Sequence, residues 1–207
     1  MKTIEWNEEQ RKAFQDLLRE FVASIDAKVQ EEKQTGKTPT TPEYTSCQRE
    51  LNKFLEELGY ACKISLGSGY LYEEPSIAFC RQDILGEGFV NGEKPTPKKG
   101  FYLWLAYDWR KKDAKRFYLR IGRSTEQDAK KELQKCPAYG KIIPNGNECY
   151  RESYDDLEAD LENITDYFLR FANGFNQIPT AYFKLELVQA IKKQPHTKKE
   201  LPHKGFS

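Results

Sequence analysis

The stretch that decides the fold is KKGFYLWLAYDWRKKDAKRFYLRIGRS, residues 98–124. Two alternating runs, FYLWLAYD (101–108) and RFYLRIG (116–122), flank a charged turn and read as a β-hairpin. Successive strand residues point to opposite faces. One face therefore gathers Phe101, Leu103, Leu105, Tyr107, Phe117, Leu119 and Ile121, which is a core face. The other gathers Tyr102, Trp104, Ala106, Asp108, Arg116, Tyr118 and Arg120. Aromatics beside arginines suit stacking on bases and contact with phosphate. They suit equally a second small core beneath covering helices, and the residues alone leave both open.

Working outward, the N-terminal side predicts two helices. Asn7 and Gln10 form a capping box for the first. Phe14, Leu17, Leu18, Phe21, Val22, Ile25 and Val29 recur at helical spacing behind it, and QTGKTPTTPEY breaks the run. Thr41 as cap and Pro42 at the first position predict the second, burying Tyr44, Leu51, Phe54, Leu55 and Leu58 before Gly59. CKISL (62–66), the turn GSG (67–69) and SIAFC (76–80) are strand-like. Residues 81–99 are rich in Gly, Pro and Lys, and a connection of that length is usually functional or mobile.

Beyond the hairpin, Ser124 and Gln127 predict a capped short helix to about Lys135. A long helix is expected to start at Ser153 and stop near Gly174, with Leu157, Leu161, Ile164, Phe168 and Phe171 on one side. TAYFKLELV (180–188) alternates like a last strand. Hairpins mixed with helices predict an α+β fold: a curved, mostly antiparallel sheet flanked by α-helices. Residues 1–190 are expected to form one domain, with 191–207 a basic linker or tail.

Composition bounds the function. Hydrophobic residues make up 38% of the 207 and charged residues 31%. No apolar run approaches the roughly 18 residues that span a bilayer, and the first residues lack a signal peptide's apolar stretch, so a cytoplasmic location is the default expectation. Five cysteines without C-x-x-C spacing and two histidines, His196 and His203, argue against a zinc site; the cysteines read as reduced, and no metal or cofactor is expected. The net charge of +1 hides an asymmetry. Residues 92–123 hold ten Lys/Arg against three Asp/Glu, residues 148–170 two against eight, and residues 184–207 six against two. That polarity fits a basic face toward an anion, or an ordinary solvated surface. There is no phosphate-binding loop, no nucleophile elbow and no H-E-x-x-H. Asp83 and Glu87 do not complete a nuclease pattern, because Glu93 and Lys94 are adjacent. The chain reads as a binding domain, not an enzyme.

KISLGSGYLYEEPSIAFC (63–80) followed by KGFYLWLAYDWRKKDAKRFYLRIGRS (99–124) resembles the N-terminal DNA-binding domain of McrB-type modification-dependent restriction proteins, and DLENITDYFLRFANGF (160–175) resembles that family's later helix. The resemblance covers about residues 45–175. It implies binding of duplex DNA with a modified, methylated base, extrusion of that base and its reading in an aromatic pocket. It also implies a GTPase motor domain elsewhere in the parent chain and a separate nuclease subunit, in a phage-defence system. On this resemblance Tyr102 falls on a pocket tyrosine. Ser76 replaces a pocket tryptophan, Ala106 a pocket leucine, and Ser68 the tyrosine that fills the gap left by the base. Trp104, Tyr118, Tyr70 or Tyr72 would supply stacking surface, and Phe89 or Val90 a wedge. Lys98, Lys99, Arg110, Lys111, Lys112, Arg116, Arg120 and Arg123 would face the DNA backbone. A protein-interaction domain of the same fold, without base recognition, is the alternative.

Overall fold

The computed structural model describes residues 1–38, 45–110, 115–142, 153–154 and 156–186. The hairpin forms the middle of an antiparallel sheet. Its strands run in chain order: β1 (Tyr60–Ser68), β2 (Tyr70–Arg81), β3 (Phe101–Asp108), β4 (Lys115–Arg123) and the two-residue β5 (Ser153–Tyr154). Every strand pairing among the described residues is antiparallel, and Leu105 lies opposite Leu119 on one side and Ile77 on the other. With α1 (Glu8–Thr35), α2 (Thr45–Glu56), α3 (Gln127–Leu133), α4 (Pro137–Ile142) and α5 (Leu157–Asn176), the chain adopts the expected α+β fold.

The expected core face holds. Phe101, Leu103, Leu105, Tyr107, Phe117 and Leu119 are all fully buried. Helix α1 begins as expected, since the Asn7 side chain accepts from the Gln10 amide and the Gln10 side chain accepts from the Asn7 amide. Its stripe enters the same core, where the Phe14 and Phe168 rings lie 4.7 Å apart and Phe168 meets Phe79 edge-on. Helix α2 packs on β1, and α5 on β4. Every buried apolar residue of these helices lies in this one cluster.

Three expectations are corrected. Helix α5 starts at Leu157, where the Asp156 side chain accepts from the Glu158 amide, because Ser153 and Tyr154 pair with β4. It ends at Asn176, near the expected stop. Residues 180–186 of the expected last strand do not form one, and 187–188 lie outside the described residues: Thr180–Phe183 is one 3-10 turn that buries Phe183, and Lys184 makes a single bridge to Phe89. Ser124 does not cap α3. Its hydroxyl donates to the Lys98 carbonyl at 2.5 Å, and the helix begins after Glu126. Residues 81–99 carry local structure of their own. Gln82–Ile84 is a 3-10 turn, and the Val90 and Leu185 amides donate to the Phe183 and Gly88 carbonyls. The buried Asn91 side chain exchanges two hydrogen bonds with the Phe101 backbone, at 2.6 and 3.0 Å. Gly100 must be glycine for this, since its φ is 73° and a Cβ would stand 2.1 Å from Asn91 Oδ1. The predicted cap Thr41–Pro42, Tyr44, and residues 191–207 lie outside the described residues.

Candidate nucleic-acid interface

Strand pairing turns the outer face into rows. Lys63 of β1, Ala78 of β2, Trp104 of β3 and Arg120 of β4 are successive partners across the sheet. The next row is Ser65, Ser76, Ala106 and Tyr118. Tyr102 lies opposite Gly122, and Asp108 opposite Arg116. The five predicted pocket residues, Tyr102, Trp104, Ser76, Ala106 and Tyr118, thus share one face.

They do not share one environment. At one end Ala78, Cys80 and Tyr102 form a small cluster of their own, with Leu85 and Trp104 packed against it. Tyr102 is only 6% exposed, and its hydroxyl lies 3.1 Å from the Pro97 carbonyl and 3.2 Å from that of Arg123. Burial pushes its phenol up to about 12, against the nearby Arg120 charge. Ser76 and Ala106 are sunk between larger neighbours. The outer face is therefore a second small core at the Tyr102 end. Toward β4 it is half-exposed, with Trp104, Tyr118, Arg116 and Arg120. The small-core alternative therefore holds at the Tyr102 end, and the rest of the face is only partly covered.

The arginines differ in how they are spent. Arg11 and Arg19 of α1 pair with Glu158, Glu162 and Asp166 of α5, which absorbs part of the acidic segment expected from the sequence. Arg81 is wholly buried, held by Asp83 and by the Phe175 and Ile178 carbonyls at the end of α5. Arg110, expected on the DNA backbone, is taken up by Glu73, Glu74 and Asp108 and does not stand free. Arg116 and Arg120, in contrast, make no ion pair or side-chain hydrogen bond among the described residues, and the Nε of each is buried without a partner. The Arg120 guanidinium lies 4.9 Å from the Trp104 ring centroid, and that of Arg123 lies 4.7 Å from Tyr139. Stacking on a ring occupies the flat face of a guanidinium and leaves its edge donors for an anion.

Other predicted residues fall elsewhere. Lys98 and Lys99 are exposed and border a cavity of 420 Å³ shared with Glu126, Asp128 and Glu132 of the α3 region. Phe89 lines the same cavity, packs on the main core and lies 5.9 Å from Lys184 Nζ, so it does not flank Tyr102 as a wedge would. Val90 is buried. Ser68 is exposed at the β1–β2 turn, where Gly67 and Gly69 both take positive φ. Lys111 and Lys112 lie outside the described residues.

Two features escape a reading of the hairpin alone. Lys63 joins the Trp104 row, and finding it requires the β1–β2 register. Tyr70 and Tyr72, 64% and 52% exposed, lie beside the β1–β2 turn, beyond a register shift that interrupts the alternation of β2. No protein-family model, no curated protein and no solved structure matches the chain.

Proposed function

We propose that this chain is the DNA-binding module of a modification-dependent restriction system, reading a methylated base in duplex DNA. The observation that carries the reading is the pair Arg116 and Arg120. Among the described residues both are cations without an ion pair, one stacked on Trp104, on a sheet face that also carries Tyr102 and Tyr118. A fold that neutralises Arg11, Arg19, Arg81 and Arg110 has no structural reason to leave these two unsatisfied, and phosphate oxygens would satisfy them. The resemblance of residues 45–175 to McrB-type N-terminal domains points the same way. An extruded base would stack on Trp104 or Tyr118, because Tyr102 is committed to the small cluster. Lys63, in the Trp104 row, would extend the phosphate contacts, whereas Arg123, opposite Phe101, belongs to the other side of the sheet. The domain itself catalyses nothing. A GTPase motor in the parent chain and a nuclease subunit, acting in the cytoplasm, would complete the system.

One observation favours a second reading, an assembly domain that does not read a base: Tyr102, Ser76 and Ala106 are each at most 8% exposed, which leaves little room between them. Fluorescence anisotropy with duplexes carrying 5-methylcytosine or plain cytosine separates the two. Tighter binding of the methylated duplex, with the preference lost in Trp104→Ala, supports base reading. Equal affinity for both duplexes removes it, and no affinity for either leaves the assembly reading.

A further inference from the structure

In the helical layer, on the other side of the sheet from Arg116 and Arg120, a groove of 660 Å³ runs between α1 and α2. Its floor is apolar. Ala13 and Leu17 on α1, and Phe54 and Leu58 on and just after α2, are two i,i+4 pairs, and all four are half-buried. The inward stripe of α1, from Phe14 to Ile25, is used up in the core; Ala13 and Leu17 lie beside it. Two parallel ridges with an unfilled channel between them are what a third helix packs into.

The rim is acidic. Five carboxylates, those of Glu9, Asp16, Glu20, Glu50 and Glu57, line the groove against the single ammonium of Lys53. Asp16 is paired with Arg19 and Glu50 with Arg49. Glu9 and Glu57 make no ion pair among the described residues, and both are exposed. A second copy of this chain would bring an identical acidic rim against this one, which like-charge repulsion disfavours. Nucleic acid and anionic lipid are disfavoured for the same reason.

We infer that this groove receives a basic amphipathic helix of a partner protein. Its i,i+4 apolar side chains fill the channel between Leu17 and Phe54, and its lysines or arginines meet Glu9 and Glu57. Because the groove and the arginine face lie on opposite sides of the sheet, DNA and the partner helix can be held together. The module would then couple a bound duplex to another component.

The test uses the full chain and a fluorescein-labelled leucine–lysine amphipathic peptide, with a leucine–glutamate peptide of the same pattern for comparison. Anisotropy should show saturable binding of the lysine peptide only. The pair Glu9→Lys with Glu57→Lys should weaken it about tenfold. The pair Glu87→Lys with Glu93→Lys makes the same change in net charge elsewhere and should leave binding unchanged. Where the first pair lowers the unfolding midpoint, Glu57→Lys alone gives the reading, since it lies outside both helices. Amide shifts in a two-dimensional NMR titration should centre on Leu17, Phe54 and Leu58. Equal weakening by both pairs, shifts centred elsewhere, or no binding would overturn the inference. DNA binding measured on the same variants reports separately on the sheet face.

Discussion

Replacing Arg116 and Arg120 together by methionine should separate function from stability in one protein. Methionine keeps an unbranched apolar stem against the sheet while removing the charge and the donors. In the folded chain each arginine buries an Nε without a partner, a cost of about 1–3 kcal/mol for a group of this kind. Arg120 recovers about 0.5–1 kcal/mol from the Trp104 ring. The double variant should therefore unfold in urea at the same midpoint or a higher one, by about 1 kcal/mol. Its DNA binding should fall. Each phosphate contact contributes about 0.9 to the slope of log affinity against log salt, so two contacts contribute about 1.8. Between roughly 50 and 200 mM salt, the intact chain should lose about twelvefold more affinity than the variant does. Anisotropy at four or five salt concentrations measures both slopes. Identical slopes, or a variant destabilised by more than about 1 kcal/mol, would refute the reasoning, because the arginines would then serve the fold.

Three further outcomes follow from the packing. Tyr102→Phe should cost about 1 kcal/mol through its hydroxyl, whereas Tyr102→Ala, which empties part of the small cluster, should cost about 3–5 kcal/mol; chemical denaturation distinguishes them. Burial alone would raise the Asp83 carboxyl, but hydrogen bonds from Arg81 and Thr180 outweigh it and hold it below the usual carboxylate range. Its contribution is therefore present above the unfolded value near about 3.9 and lost as pH falls through the lower folded value. Acid unfolding of Asp83→Asn should lack that component, and Arg81→Met, which strands the carboxylate, should cost about 3–5 kcal/mol near neutral pH. Gly100→Ala should disrupt the Asn91 contact with the Phe101 backbone and lower the thermal midpoint by several degrees, about what 1–2 kcal/mol produces in a domain of this size.

What the sequence disclosed was whatever local rules decide. The Asn7–Gln10 cap and the α1 stripe need only neighbours three and four residues away. The inward face of β3 and β4 needs only alternation. What it concealed was decided by partners far along the chain. Ser124 and Gln127 have the spacing of a capping box, yet the hydroxyl goes to Lys98. Ser153 is a plausible helix cap, but β4 offers its residue a strand partner. Over residues 180–183 the alternation reflects Phe183 reaching the core from a 3-10 turn, not a strand. Arg110 looked like one more basic residue of the hairpin until Glu73 and Glu74 of β2 came beside it. The site was legible as a face, because periodicity sorts Tyr102, Trp104, Tyr118, Arg116 and Arg120 together. Which of these are spent internally depended on the contacts of the Tyr102 hydroxyl with the Pro97 and Arg123 carbonyls and on sheet register, so the sequence could not divide them.

The most direct test of the central claim reads the three tryptophan indole N–H resonances during a titration with duplex DNA at low salt. Trp6 sits among Phe14, Phe54 and Phe168 on the helical side and serves as the internal reference. Trp109 donates to the Tyr72 carbonyl near the β1–β2 turn. Trp104 lies on the outer face beneath Arg120. If that face holds DNA, the Trp104 resonance moves with the binding curve while Trp6 stays fixed. A saturating titration that leaves Trp104 in place, or moves Trp6 instead, would contradict the account.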